Sequence, residues 1–195
     1  MPDVNDAVKS LYQKFMLRDI FSFITPGAIL ITSVLYLFGS NVFNLLHSSK
    51  DIHFMLYLPI LGVFYVLGIF CMSIGAFIFD NSPVPVHNRK HFAEHLIVIN
   101  DFNKAVKDNK EAQLQHERFS VVKQICGNNA VALFMSGTIL LLKFILNAIE
   151  SRWAFSLLIF SAILFLISVV LYFAHKSFLE QQEIWEDLYL GQGEK

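Results

Sequence analysis

Residues 153–174 read WAFSLLIFSAILFLISVVLYFA, a run with no charged side chain. An α-helix rises about 1.5 Å per residue, so this run covers the roughly 30 Å hydrocarbon core of a bilayer. Three more blocks of this kind precede it. No charge interrupts Ile20 to Leu46, Phe54 to Phe79, or Gly127 to Leu142. The last of these reaches spanning length only by taking in Lys143. Composition agrees, with 55% hydrophobic residues and a mean hydropathy of +0.52. A soluble domain of this length has no use for its apolar residues in long uncharged blocks. The expected fold is therefore all-α: a polytopic membrane protein of four transmembrane helices with a cytoplasmic helical extension.

The segments follow from the breakers. Thr25 suits a helix cap and Pro26 the first helical position, which starts span one at Pro26 and carries it to Leu46. Span two runs from Phe54 to Phe79, with Pro59 in its first turns. Span three is Asn128 to Ile149 and span four Trp153 to Ala174. Before span one, Val4, Val8, Leu11, Phe15 and Met16 recur at helical spacing among Lys9, Lys14 and Arg18. That pattern fits an amphipathic helix in the membrane interface, or equally a short soluble helix packed on other protein. The division is 1–25 interfacial helix, 26–80 spans one and two, 81–126 cytoplasmic helical loop, 127–175 spans three and four, and 176–195 cytoplasmic C-terminal helix. Acids and the absence of a basic stretch in Met1–Asp6 argue against a cleaved signal peptide.

Lys and Arg set the orientation. Lys9, Lys14 and Arg18 precede span one. Arg89, Lys90, Lys104, Lys107, Lys110, Arg118 and Lys123 occupy the long loop, and Lys176 and Lys195 the tail. The two short links hold only Lys50 and Arg152. Both termini and the loop are expected in the cytoplasm, with the chain in a bacterial inner membrane. A net charge of −1 makes no case for nucleic acid. Cys71 and Cys126 make no metal-like spacing with histidine, so no metal or other cofactor is expected.

Inside the loop, Phe92, Leu96, Ile99, Phe102 and Val106 form one apolar stripe, and Leu114, Val121, Val122 and Ile125 another. Lys107 to Glu111 separates them. This predicts one long amphipathic helix, or two joined near Asp108-Asn109. Span four meets no breaker until Gly191. Phe178, Leu179, Ile184, Trp185, Leu188 and Tyr189 keep its tail amphipathic, and Glu180, Glu183, Glu186 and Asp187 are placed to face the basic loop. The stripes need a partner: the tail, a second copy of the chain, or a soluble protein.

One polar stripe crosses the apolar zone. Asn129, Ala132, Ser136, Leu140, Lys143, Asn147 and Glu150 share a narrow arc of span three. Lipid cannot satisfy such an arc. Either it lines a pore whose electrostatics Lys143 sets, or it is a helix-packing face from which Lys143 reaches the headgroups. Gly68, Cys71 and Gly75 form a small-residue face on span two that favours close helix contact.

No nucleophile elbow, phosphate loop, His-Glu-x-x-His or Cys-x-x-Cys is present, and no catalytic residue is expected. His87, His91 and His95 make an i, i+4, i+8 ladder, with no second element to complete a metal site. Arg89 and His95 resemble the Arg…His pair of HEPN ribonucleases, whose helical bundle needs more soluble chain than this loop has.

The block Phe15–Gly27, FMLRDIFSFITPG, resembles the start of small four-span bacterial membrane proteins of anti-phage defence systems. In these an Arg-Asp pair, here Arg18-Asp19, precedes an aromatic residue, and Pro-Gly, here Pro26-Gly27, opens the first span. The layout is similar to the membrane subunit of the Kiwa system and to CRISPR-associated membrane effectors. The resemblance implies a homo-oligomer that works in the bilayer with a cytoplasmic protein partner, as a sensor and anchor or as a pore.

Overall fold

The computed structural model describes residues 18–38, 54–80, 92–150 and 152–191, with only the backbone at 38, 54–58, 76–80 and 92–96. All the regular structure among them is helical. A π-helical segment, Ile20–Ile24, leads into α1, Thr25–Phe38. Then come α2, Phe54–Asp80, α3, Phe92–Ala105, α4, Lys110–Ile149, and α5, Phe155–Leu190. The stretches Ile20–Leu37, Lys110–Ile149 and Phe155–Leu190 are long and apolar enough to cross a membrane. A shorter apolar stretch, Pro59–Gly75, lies within α2.

Helix α4 is the spine. Its 40 residues reach about 60 Å at 1.5 Å per residue. Helix α5, 36 residues long, folds back along it. The reversal is short: the Arg152 N–H bonds the Asn147 carbonyl, and the Leu157 N–H bonds that of Ala154. Trp153, Phe155 and Phe144 gather at this end, Trp153 stacked on Phe155. Helices α1 and α2 pack on one part of α4 around Leu30, Cys71, Val131 and Ala132. Helix α3 packs at the other end, where Phe102, Val106 and Ala112 meet Trp185 and Tyr189.

One expectation about the boundaries changes. Thr25 does not cap a new helix. Its hydroxyl donates to the Ile20 carbonyl at 2.9 Å, and its backbone N–H bonds the same carbonyl. The chain is thus already helical before Pro26 and takes an i→i+5 register there, instead of turning. The proline is absorbed because its missing partner is supplied from α4, as set out below. The second part of the loop and span three are one continuous helix, Lys110–Ile149. The chain does break where Lys107 to Glu111 separates the two stripes. Asn109 caps α4 by accepting from the Ala112 N–H at 3.1 Å, and Gln113 closes the turn onto the Val106 and Lys107 carbonyls. Helix α5 continues to Leu190 and stops at Gly191, whose φ of 67° is left-handed. The segment before Arg18, the link His47–His53 and the break at Asn81–Pro85 lie outside the described residues.

Candidate functional site

Among the described residues, polar groups within the apolar part of the molecule form two seams along α4. The first begins at Pro26. Proline has no N–H, so in an i→i+4 or an i→i+5 register it leaves the Ser22 or the Phe21 carbonyl unserved. Each of these carbonyls receives a side-chain amide from α4. Asn128 Nδ2 donates to Ser22 O at 2.6 Å, and Asn129 Nδ2 to Phe21 O at 3.0 Å. Asn129 also serves the Ile125 carbonyl of its own helix. The seam continues at every seventh residue of α4. Ser136 donates to the Ile29 carbonyl at 3.4 Å and Lys143 to the Leu37 carbonyl at 2.6 Å. An unsatisfied carbonyl in hydrocarbon costs several kcal/mol, so the asparagine amides remove a large penalty at Pro26.

Three members of the predicted polar stripe, Asn129, Ser136 and Lys143, are therefore spent within one chain on the backbone of the π segment and α1. A lumen lined by them requires α1 to leave. Asn147 and Glu150 are tied into the α4–α5 turn, the Asn147 carbonyl with the Arg152 N–H and Glu150 with Arg152 at 3.9 Å.

The second seam joins α4 to α5, and no sequence expectation anticipated it. Ser161 donates to Gly137 O and Ser168 to Ala130 O, both at 2.7 Å, and His175 Nδ1 bonds Lys123 O at 2.9 Å. A carbonyl only accepts, so that ring nitrogen carries the proton. The donors step by seven along α5 and the acceptors by seven back along α4, the repeat of an antiparallel supercoil. One further step of seven brings Gln182 to His116, nitrogen to nitrogen at 3.1 Å. The signal was in the sequence as polar residues at 161, 168, 175 and 182. Gly127 makes room for the His175 ring, which a methyl there would meet at 2.7 Å.

Small residues set the remaining contacts. A side chain at Gly68 would overlap the Phe23 backbone, and one at Gly27 the Phe64 backbone. Gly27 of α1 and Gly68 of α2 thus mark points of close main-chain approach, Gly27 to α2 at Phe64 and Gly68 to the π segment at Phe23. Cys71 is fully buried in the same core, and Gly75 is buried a turn further on. Arg18 Nε lies 3.1 Å from Asp19 Oδ1, half-exposed at the start of the π segment. On its outer side α1 borders an open groove of about 550 Å³, with walls from Ala28, Thr32, Leu61, Phe64, Leu133 and Leu164. Thr25 and Thr32 turn their hydroxyls onto their own helix, which leaves these walls apolar.

At the far end, α3, α4 and α5 enclose a polar junction. Glu186 is fully buried, with Oε1 at 2.8 Å from His116 Nε2 and 2.9 Å from Gln182 Nε2. The His116 ring lies on Phe102, centroids 4.6 Å apart, and Trp185 Nε1 donates to Ala112 O. Of the acids expected to face the loop, Glu183 and Glu186 are buried here and Glu180 is exposed. Among the described residues no three His, Cys, Asp or Glu side chains are grouped to hold a metal. Arg89, His87 and His91 lie outside the described residues, as does the side chain of His95.

No protein-family model, curated protein or solved structure matches the chain.

Proposed function

We propose that the chain is a non-enzymatic membrane sensor and anchor: four crossings carry a cytoplasmic helical head that docks a soluble partner. The observation that carries this reading is the unbroken α4–α5 hairpin, bonded across at every seventh residue from the apolar zone into the head. Two continuous helices locked in register move as one body, so a shift at one end reaches the other.

The direction of the helices supports four crossings. Helices α1 and α4 run parallel, since Phe21, Ile29 and Leu37 meet Asn129, Ser136 and Lys143 in that order. The chain must return between them. Helix α2 runs opposite to α1, with Gly27 on Phe64 and Gly68 on Phe23, and has the length to make that return, 27 residues with Asp80 as the one charge. Arg152, Trp153 and Phe155 suit the outer interface. Lys123, His175 and Lys176, its ammonium over the Tyr172 ring, suit the inner one. About twenty residues of α5 separate these two levels, close to one bilayer thickness. The Lys and Arg imbalance puts the head in the cytoplasm. The likeness of the Phe15–Gly27 block is the ground for assigning the role to bacterial anti-phage defence and for expecting a homo-oligomer.

The test places spin labels at exposed Asn103 and Gln181 in a chain whose two cysteines are replaced by alanine. The protein is reconstituted in bilayers of short-chain and long-chain lipids. A sensor changes the distance between α3 and α5 with bilayer thickness. A constant distance leaves an anchor without sensing. Reaction of Gln181→Cys with an impermeant maleimide added outside intact cells would overturn the orientation as well.

A further inference from the structure

The open groove on the outer side of α1 runs lengthwise, from Ile24 and Thr25 to Thr32 and Ser33. Thr25, Ala28 and Thr32 share one face of the helix and are small, so they make a low floor. The walls are Leu61 and Phe64 on α2 and Leu133 and Leu164 on the hairpin. The hydrogen bonds give the groove its depth in the bilayer. Asn129 meets Phe21 and Ser136 meets Ile29, which sets Leu133 level with the Thr25 end. Ser161 meets Gly137 and Ser168 meets Ala130, which sets Leu164 at that level too. Leu164 is also the middle of the uncharged run 153–174, so this end of the groove lies at the bilayer midplane. From Ile24 to Ser33 the helix rises about 14 Å, close to half of the roughly 30 Å hydrocarbon core. The groove therefore spans one leaflet, the one away from the head. Past Ser33 its surroundings turn polar. Tyr36, exposed, follows Thr32 by one turn on the same face. Lys143 gives one of its three N–H groups to the Leu37 carbonyl at 2.6 Å, and among the described residues it has no carboxylate partner.

We propose that this groove binds an anionic phospholipid of that leaflet, with one acyl chain along α1 and the phosphate on the Lys143 ammonium. The chain's end lies between Leu133 and Leu164 at the midplane. Three observations favour this occupant. The walls are apolar, because Thr25 and Thr32 turn their hydroxyls onto their own helix. The length is that of one leaflet. The charge is complementary: an ammonium with N–H groups to spare stands at the end where the phosphate falls, and a phosphate accepts from it in a charge-assisted bond. A second copy of the chain offers this ammonium little. The four uncharged blocks carry no acid, and Glu150, the acid nearest along α4, is paired with Arg152. Tyr36 suits the level of the ester groups, where a ring with one apolar side and one polar tip is at home. One bound chain touches α1, α2, α4 and α5 together, and so ties α1 to the hairpin from its outer side. The inference rests on α1 crossing the bilayer, as in the reading above. It holds whichever side of the membrane the head occupies, and whether or not the head senses the bilayer.

The experiment takes the full chain from nanodiscs of equal phosphatidylglycerol and phosphatidylethanolamine into mild detergent and weighs it intact by native mass spectrometry. The chain is expected to retain one phospholipid and to prefer phosphatidylglycerol about fivefold, the worth of one lysine beside an anionic lipid. Ala28→Phe puts a ring on the groove floor and is expected to abolish retention. Should that variant fail to fold, Thr32→Phe, at an exposed position of the same floor, serves in its place. Lys143→Gln keeps a donor for the Leu37 carbonyl and is expected to retain lipid without the preference. Phosphatidylglycerol with a diazirine in mid-chain is expected to label α1 and Leu164 above other residues that face lipid. Retention that survives filling of the floor, or a preference that survives Lys143→Gln, overturns the proposal. So does a disulfide between two copies of Ala28→Cys in a Cys71→Ala, Cys126→Ala background, which would put a second chain where the lipid belongs. A constant distance between α3 and α5 in the spin-label test sinks sensing and leaves this site standing.

Discussion

The α4–α5 hairpin has two halves with one geometry and different chemistry. In the apolar half the rungs are serine hydroxyls on backbone carbonyls, Ser161 on Gly137 and Ser168 on Ala130. In the head the rung is an imidazole, an amide and a carboxylate. The spacing is the same seven residues, so the difference lies in what each environment tolerates. A hydroxyl satisfied by a carbonyl of the facing helix exposes no charge and lets the helices approach closely, as lipid demands. A charged rung is sustainable only where solvent and aromatic packing offset the cost of burying it. The supercoil fixes where a polar rung falls, and the surroundings fix which kind it is.

The sharpest break of this picture comes at the glycines of α2, where contact is main chain on main chain. Gly68→Leu drives a side chain into the Phe23 backbone, while Gly62 has nothing within 4 Å of an added Cβ. Gly68→Leu is expected to cost about 3 kcal/mol or more, at the upper end of overpacking effects, and to leave little folded protein. Gly62→Leu is expected to stay within about 0.5 kcal/mol of the parent. Thermal unfolding in detergent checks both. Equal loss at the two sites would mean that α2 and the π segment are not joined where Gly68 meets Phe23.

Next in size is the pair of asparagines at Pro26. Asn128 is buried and gives its amide to Ser22 O, whereas the Asn129 amide is divided between Phe21 O and Ile125 O. Asn128→Leu is expected to cost about 1–3 kcal/mol, the penalty of a buried carbonyl without its donor, and Asn129→Leu less. In a Pro26→Ala background, where the chain regains its own N–H, the Asn128 penalty is expected to shrink. Denaturant titration of the four chains measures that coupling. Additive losses would show that the amide and the proline are unrelated.

These two sites show how far the sequence could be read. Uncharged length alone revealed the long helices, because hydrocarbon permits little else. Asn129, Ser136 and Lys143 stood out as one arc because their neighbours are apolar. Their target was hidden, since a carbonyl acceptor has no residue type: nothing in the letters of Phe21, Ile29 or Leu37 marks them as partners. The α4–α5 seam was missed for a related reason. Serines at 161 and 168 are unremarkable in a spanning helix, and the repeat appears only when 175 and 182 are counted with them across the edge of the apolar block. Thr25-Pro26 read as a start because proline normally ends what precedes it. The two asparagines that annul this effect lie about a hundred residues away.

The smallest effect tests the comparison most directly. If the serine rungs sit in a lipid-facing seam, each is worth little, because the separated helices also find partners for their hydroxyls. Such bonds average about 0.6 kcal/mol in membrane proteins. Ser161→Ala and Ser168→Ala are each expected to cost about that much. They lie two helical turns apart, about 10 Å, so the double substitution is expected to be additive. Replacing both His116 and Glu186 by well-packed apolar residues is expected to be neutral or stabilising, because a buried charged rung carries a desolvation cost that the serine rungs do not. Unfolding of the two double variants in one detergent decides the matter. Were the serine pair to cost several kcal/mol and the head pair as much again, the halves would share one energetic logic, and the contrast drawn from their chemistry would be wrong.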